Sequence, residues 1–302
     1  MKNPTDNMLV QIERSIEHIG ETHGIRKVMW RMDERVENLV SGIRQGDDAV
    51  VVGRQIINME GPYPLKTGRK TGLIHTCTDV VAMGGRPLYA FDAMQVNDIE
   101  EAISVSEDLK KQSYGLDVPI LGGNTQMENN LEPCISFTVF GELLTDKVIT
   151  DSGAKDGDNM VMLGEVVEGS IGERIYRVKV RYAAFMNMVE NGLDIHANKD
   201  ASRGGWFGNL VEMLVKAKLG AVINSIPYPK ISRYMGVFLM AVPDSELDDV
   251  VSTAARHNCP VVNFAKITKE KEIKLGKDVV VPEDRMCEMI RNMPFAKARK
   301  LK

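Results

Sequence analysis

A helix and its stop signal, at residues 69–87 (RKTGLIHTCTDVVAMGGRP), constrain the fold more than any other stretch. Apolar residues recur there at helical spacing, which predicts one face packed on a core, while His75 and Asp79 lie one turn apart on the opposite side. The Gly-Gly pair supplies a C-cap, and Pro87 prevents continuation. We therefore predict a helix with one core face and one face that carries chemistry.

Composition narrows the class of protein. With 302 residues, 43% of them hydrophobic, the chain is long enough for two domains with separate cores. A net charge of −4 provides no overall attraction for nucleic acid, and we expect the basic stretch 297–302 (KARKLK) to be a solvated, frayed end. The first residues carry acids without a continuous apolar run, and no later run approaches a membrane span. We expect a cytoplasmic protein without a membrane segment.

The order of the predicted elements indicates an α+β protein. Helices are predicted at Asn7–Ile19 and Gly24–Ile43, so that residues 1–40 form a helical N-terminal extension. Two helices among about five strands then fit a sandwich with helices on one sheet face. The Gly- and Asp-rich segment Thr150–Asp158 is typical of a boundary. The predicted domains are 41–150 and 151–302.

The sequence after residue 44 changes from a helical to a strand pattern. Gln45–Asn58 places Asp47 and Asp48 just before β-branched residues on either side of a Gly-Arg pair, which predicts a β-hairpin. Gly61–Lys70 (GPYPLKTGRK) is typical of a loop. Neither a Walker A motif nor G-x-G-x-x-G after a strand is present. The cations of the loop are candidates for phosphate contacts: Lys66, Arg69 and Lys70.

Two glycine-rich segments are further candidates. Gly122–Thr125 (GGNT) follows a short predicted strand, where a double glycine either allows close approach of a ligand or forms only a tight turn. In Asn198–Trp206 (NKDASRGGW), Asp200 and Arg203 precede two glycines and a predicted helix start, where backbone N–H groups favour an anion. An ordinary N-cap with a turn is the alternative for that loop.

Four motifs occur in the order and spacing typical of one superfamily. They are GDDAV at 46–50, TDVVAMGGRP at 78–87, GGNT at 122–125 and KDASRGG at 199–205. Over residues 40–290 the chain resembles the aminoimidazole ribonucleotide (AIR) synthetase superfamily, which includes selenophosphate synthetase, thiamine monophosphate kinase and the hydrogenase-maturation carbamoyl dehydratase. The KDASRGG loop is most similar to the dehydratase version, and the whole chain resembles AIR synthase-related proteins grouped among archaeal methanogenesis markers.

The resemblance implies a two-domain PurM-like α+β fold, with an N-terminal α/β sandwich that forms a β-barrel in a homodimer and a C-terminal α/β domain. It also implies ATP and Mg²⁺ at the interface of two N-terminal domains. Carried over residue by residue, the metal set is Asp47, Asp48, Glu60, Asp79 and Asp200, and Asp79 and Asp200 are the catalytic candidates. Carboxylate oxygens are the ligands that Mg²⁺ prefers. The candidates for binding ATP are Asp48, Lys66, Arg69, Lys70, Arg86, Gly122, Gly123, Asn124, Thr125, Arg203 and Gly204.

The sequence also departs from the better-known members. Asn124 stands where thiamine monophosphate kinases have an acid, and an amide brings no charge to a metal. The sequence shows neither the terminal cysteine that accepts carbamoyl in the hydrogenase enzyme nor the cysteine- or selenocysteine-bearing loop of selenophosphate synthetases. Neither of those two reactions is carried over to this chain.

We therefore predict an enzyme that uses ATP and Mg²⁺ to phosphorylate a small oxygen-bearing substrate, or to dehydrate it through a phosphorylated intermediate. The alternative is an ATP-binding assembly or maturation partner protein without small-molecule turnover of its own, which Asn124 and the helical N-terminus favour. A third hypothesis is a metalloprotein centred on His75, Asp79 and His196, against which ordinary surface or hydrogen-bonded histidines are the alternative.

Overall fold

The computed structural model describes residues 4–127, 130–231, 233–293 and 295–301, which form two mixed β-sheets covered by helices. None of the helices in these ranges combines the length and the apolar character needed to cross a membrane. The helices are α1 (Pro4–Met29), α2 (Leu65–Ala82), α3 (Ile99–Leu116), α4 (Ile171–Glu190), α5 (Gly205–Ala217), α6 (Leu247–Arg256) and α7 (Glu283–Asn292). The strands are β1 (Leu39–Ser41), β2 (Val50–Val52), β3 (Gln55–Pro64), β4 (Gly85–Gln95), β5 (Ile120–Gln126), β6 (Cys134–Leu143), β7 (Asn159–Leu163), β8 (Ala197–Asp200), β9 (Gly220–Ile223), β10 (Phe238–Val242), β11 (Val261–Thr268), β12 (Ile273–Leu275) and β13 (Asp278–Val281).

The N-terminal sheet has the strand order β1-β2-β3-β6-β4-β5. Only β4 and β5 are parallel among its described strands. The hairpin predicted at Gln45–Asn58 is present as β2 and β3. Since β1 and β5 are the two edges, the sheet is open in the single described chain, and the dimeric barrel stays a prediction.

Helix α2 packs closely on this sheet. A Cβ on Gly72 would lie 2.2 Å from the ring of Phe137 in β6, so glycine permits the approach. The side of α2 that carries His75 and Asp79 is covered as well, because α4 and β8 from the C-terminal half pack against the helix. These two residues are 9% and 7% exposed. The predicted chemical face of α2 is therefore enclosed between the two halves of the chain.

The C-terminal sheet has the order β13-β12-β9-β11-β7-β10-β8, in which β9 and β12 are parallel. Helices α4 and α6 share a core with the N-terminal half, while α1 and α5 share the second core on the other side. Ile12 and Ile16 of α1 belong to that second core together with Trp206. The N-terminal helix therefore packs on the C-terminal half of the chain.

The prediction of a helix at Gly24–Ile43 was wrong beyond Met29, where α1 ends. A 3₁₀ turn follows α1, and the buried carboxylate of Asp33 accepts hydrogen bonds from the backbone N–H groups of Ile43 and Arg44, at 3.1 and 2.9 Å. These bonds fold the chain back, and the intervening residues pair with β2 as strand β1. Periodic apolar residues alone did not reveal this competing side-chain bond.

The loop predicted at Gly61–Lys70 was also wrong. Strand β3 continues to Pro64, and α2 begins at Leu65. Beyond Ile57, β3 pairs with β6 alone among the described strands, and prolines are tolerated where one side of a strand needs no donor.

The basic end of the chain was expected to be frayed, but its described part is docked. The backbone N–H groups of Ala296 and Arg299 donate to the carbonyls of Arg44 and Val40, at 3.1 and 2.8 Å. The side-chain amide of Gln45 donates to the carbonyl of Lys297 at 3.0 Å. The final residue of the stretch, at position 302, lies outside the described residues.

Candidate active site

Three carboxylates from distant parts of the sequence meet where the two halves of the chain face each other. Asp48 lies in the turn before β2, Asp79 lies in the last turns of α2, and Asp200 ends β8. One oxygen of each lies within 4.8 Å of the other two. The Asp48 side chain is 4% exposed, and the other two residues are equally enclosed. We call these three residues the carboxylate cluster.

Neighbouring polar groups hold the cluster in place. The side-chain amide of Asn58 in β3 donates to Asp79 at 2.6 Å. One oxygen of Asp48 accepts from the backbone N–H of Asp200 at 3.0 Å, and the other lies 2.6 Å from Nζ of Lys199. Of the three clustered carboxylates, only that of Asp48 has a contacting ammonium among the residues that the structure describes, so the cluster is short of positive charge.

The charges within the cluster act on one another. Burial, followed by the charges of Glu60, Asp200 and Asp48, raises the pKa of Asp79 well above its usual value. Burial and Asp48 also raise the pKa of Asp200, although Lys199 acts in the opposite direction. Carboxyls whose ionised forms repel one another in a dry site are stabilised by a bound cation. The arrangement therefore suits a divalent metal ion.

Glu60 and Asp47 complete the predicted metal set in different ways. The Glu60 carboxylate accepts a hydrogen bond from Tyr63, and burial raises its pKa. It is close enough for its charge to act on the cluster. Asp47 is held elsewhere, since it accepts bonds from the Ser41 hydroxyl and from the backbone N–H of Asp151. Burial raises the pKa of Asp47 to about 8.

A buried network of ion pairs extends behind the cluster. Besides Asp48, Nζ of Lys199 lies 3.4 Å from Asp151 and 3.6 Å from Glu212. Lys216, whose side chain is fully buried, pairs with the same two acids. Two lysines thus share three carboxylates, and each charge depends on the others because water is excluded.

The histidines of the metalloprotein hypothesis are engaged separately. Nε2 of His75 lies 2.9 Å from the Thr71 hydroxyl, and burial lowers the pKa of His75 to about 3, which leaves the ring neutral. His196 contacts Asp158 at 2.8 Å and Asp194 at 3.0 Å. Among the residues that the structure describes, the group whose geometry could hold a metal ion consists of carboxylates alone.

The predicted phosphate-binding cations lie outside the cluster. Lys66 and Lys70 are exposed on the first turns of α2. Arg69 is bound by Asp108 of α3 at 2.7 Å, and Arg86 pairs with Glu190 at 2.7 Å. Their roles in ATP binding stay predictions.

The two glycine-rich candidates lie in different places, one on a sheet edge and one next to the cluster. Gly122, Gly123, Asn124 and Thr125 are exposed on the edge strand β5, which β4 and β6 separate from β3. Arg203 and Gly204 form the turn between Asp200 and α5, where Gly204 has a φ of +94° and is the N-cap. Arg203 is exposed and lies three residues beyond the cluster.

Three residues that shape the site were not among the predicted site residues. Lys199 had a signal, because it precedes Asp200 within KDASRGG. Asn58 had none beyond its place on β3. Arg181 of α4 is fully buried, and its guanidinium lies over the ring of Phe238 at 4.7 Å. Its positive charge opposes the rise in the pKa of Asp200 that burial causes. Its guanidinium reaches the Thr78 hydroxyl at 3.2 Å.

Comparison with known proteins identifies the family. The N-terminal domain of the AIR synthase related proteins matches residues 33–143, and their C-terminal domain matches residues 139–278. The chain belongs to the AIR synthase related family. The superfamily predicted from the four motifs is thereby confirmed. An uncharacterised family relative from Methanocaldococcus jannaschii is 49% identical over 291 residues, which are 96% of this chain and 98% of that protein.

Other AIR synthase related proteins are more distant. Phosphoribosylformylglycinamidine synthase subunit PurL from Thermotoga maritima is 22% identical over 276 residues, which cover 83% of this chain and 45% of PurL. The structure of that PurL with ADP has a TM-score of 0.72 at 20% identity, over 92% of this chain and 51% of the PurL chain. The structure of a HypE–HypF complex has a TM-score of 0.66 at 14% identity, and the match covers 82% of this chain and 94% of the matched chain. This chain therefore has the two-domain PurM-like fold and spans about half of PurL.

Proposed function

We propose that this chain is an ATP- and Mg²⁺-dependent enzyme that phosphorylates a small oxygen-bearing substrate, or dehydrates it through a phosphorylated intermediate. The carboxylate cluster carries the proposal, because three buried acids from distant segments converge with one ammonium in contact. PurL, which shares the fold, has been seen with ADP, ATP and AMPPCP. Nucleotide binding by relatives and a carboxylate cluster that suits a cation support the same chemistry.

The residues present fit Mg²⁺. Asp48, Asp79 and Asp200 offer hard oxygen ligands, and Glu60 adds a fourth carboxylate nearby. A Mg²⁺ ion held there would neutralise charge on ATP phosphates and on the transferring phosphoryl group. Asn58 fixes the orientation of Asp79 through its amide, so that the ligand oxygens are positioned before a cation binds.

Calorimetric titration of ATP with Mg²⁺ tests this function. The wild type is expected to bind only when Mg²⁺ is present, and Asp79→Asn is expected to weaken binding by about 100-fold, because a ligand and its charge are lost. Asp92→Asn, a partly buried carboxyl on β4, is the matched control and should bind as the wild type does. Phosphate release is then measured on the same samples with fractions of cell extract.

The outcomes separate the candidate functions. Binding that is unchanged in Asp79→Asn contradicts a site at the carboxylate cluster. Binding by the wild type without phosphate release in any fraction contradicts an enzyme and favours an ATP-binding partner protein, a role suggested by the HypE–HypF complex. A pull-down that recovers a stoichiometric partner only with ATP would then identify that partner.

We also propose that a second copy of the chain covers the outer face of the N-terminal sheet, as the family resemblance implies. Tyr89 and Phe140 stack there at 5.3 Å, and Phe91 meets Phe140 edge-on. Two further apolar residues, Met59 and Leu121, are 69% and 61% exposed. Exposed apolar patches of this kind are typical of interfaces.

Replacing Phe91 with glutamate is expected to convert a dimer to a monomer, because a charge would be buried at the centre of the aromatic patch. Sedimentation equilibrium would show the dimer dissociation constant rise about 100-fold or more. Tyr176→Glu, on an exposed aromatic of α4, is the control and should stay dimeric. A wild type that is monomeric at all concentrations would contradict the proposed dimer.

A further inference from the structure

A cavity of about 1000 Å³ lies between the docked end of the chain, the β2–β3 turn and the segment after β6. Its wall includes the segment 152–155 (SGAK), the end of α5 and residues 297–301. No member of the carboxylate cluster lines it. The cavity therefore belongs to a different part of the molecule from the candidate active site.

Positive charge dominates the wall. Among the described residues that line the cavity, seven are lysines or arginines and one is an acid, Asp146, which Arg54 binds. Nζ of Lys155 contacts His196 at 2.7 Å, and Lys216 is bound by Asp151 and by the carbonyl of Gly46. The other four cations have no acidic partner within the described ranges: Lys218, Lys297, Arg299 and Lys300.

The backbone holds these charges together. Hydrogen bonds from Ala296 and Arg299 to the β1 region, and from Gln45 to Lys297, fix the segment that carries three of the four free cations. Gathering like charges costs electrostatic energy, which an anion between them would recover. The cation arrangement is thus formed before any ligand binds, which reduces the ordering cost of binding.

We propose that this cavity binds a small polyanion of the phosphate class, such as a di- or triphosphate ester. Ammonium groups act as point-charge phosphate ligands, and the fork of Arg299 matches two phosphate oxygens. The cavity has the size of a small-molecule site, and the net charge of −4 disfavours an extended nucleic acid. The site goes beyond the proposed function, since it shares no residue with the carboxylate cluster.

Calorimetric titration of inorganic tripolyphosphate in EDTA tests the proposal, because without a metal ion the carboxylate cluster repels the probe. The wild type is expected to bind one tripolyphosphate, with affinity that falls as salt is added. The triple variant Lys297→Gln/Arg299→Gln/Lys300→Gln is expected to weaken binding about tenfold or more. The control triple variant Lys179→Gln/Lys269→Gln/Lys277→Gln removes the same charge from exposed positions elsewhere and should change binding less than about twofold.

Three outcomes would overturn the site. The first is no binding of tripolyphosphate by the wild type, and the second is equal weakening in both triple variants, which would mean attraction by overall charge. The third is tighter binding of a single-stranded oligonucleotide that the first triple variant abolishes. Asp79→Asn should leave tripolyphosphate binding unchanged. Failure here is thus distinct from failure of Mg²⁺-dependent ATP binding.

Discussion

Replacing Asp200 with asparagine is expected to lower Mg²⁺-dependent ATP turnover by about 10³-fold while the fold stays intact. Asp200 is 3% exposed, and its carboxylate lies among those of Asp48 and Asp79. Asparagine keeps the shape and the backbone bond to Asp48 but removes the charge that would attract a cation. Phosphate release, measured with the extract fraction that supports turnover, checks this expectation.

Asp92→Asn again serves as the control, and its turnover should stay within about twofold of the wild type, because Asp92 lies on β4 outside the cluster. A wild-type rate in Asp200→Asn would contradict the assignment of the site. A loss in both variants would instead point to a general effect on the fold.

Asp200→Asn should also be more stable than the wild type at alkaline pH when no metal ion is present. The folded state raises the pKa of Asp200 above the usual 3.8, so the unfolded chain ionises first as the pH rises. The contribution of Asp200 to wild-type stability is therefore fully present near pH 4 and below. That contribution is lost as the pH rises through the pKa that Asp200 has in the folded state. Asparagine does not ionise, so the variant does not lose this contribution. Thermal unfolding in EDTA should show a Tm about 5 °C higher for the variant at pH 8, and no difference at pH 4.

The positions of the clustered acids in the sequence were predictable, but the directions of their side chains were not. Asp47 and Asp48 are adjacent in GDDAV, and the motif suits both for a metal site. In the structure only Asp48 faces the cluster, whereas Asp47 turns to Ser41 and the backbone of Asp151. The two acids are adjacent in the turn before β2, where no strand periodicity tells which side chain turns inward, and tertiary packing decides which one joins the cluster.

Local composition also did not predict where the basic residues of segments 61–70 and 297–302 lie in the structure. The residues at 61–70 have loop composition, yet Arg69 lies on a helix whose side faces α3 and binds Asp108. The basic end of the chain was expected to fray, because nothing local shows that the β1 region offers free carbonyls to Ala296 and Arg299. Strands and helices with strong periodicity were predictable, while contacts between distant segments required the structure.

Replacing Lys199 with methionine is expected to destabilise the protein by about 3–5 kcal/mol, because buried acids would lose their shared cation. Lys199 is 6% exposed, and its ammonium contacts Asp48, Asp151 and Glu212. Methionine fills a similar volume, so the loss of charge dominates over the loss of packing. Urea unfolding monitored by circular dichroism measures the change.

Lys266→Met provides the comparison. Lys266 also lies on a strand and pairs with Asp244 at 2.6 Å, but the two side chains are 36% and 77% exposed. Exposed pairs contribute little, so this variant should change the free energy of unfolding by less than about 1 kcal/mol. Equal effects of the two lysine variants would contradict a buried network as the source of stability.

Mg²⁺ should restore part of the stability that Lys199→Met loses. Lys216 still pairs with Asp151 and Glu212 in the variant, so Asp48 is the acid left without a contacting ammonium. A cation bound at the carboxylate cluster would replace that missing charge, and ligands that bind only the folded state raise its stability. The urea midpoint should therefore rise more with Mg²⁺ in Lys199→Met than in the wild type. An equal rise in both proteins would place the metal ion away from Asp48.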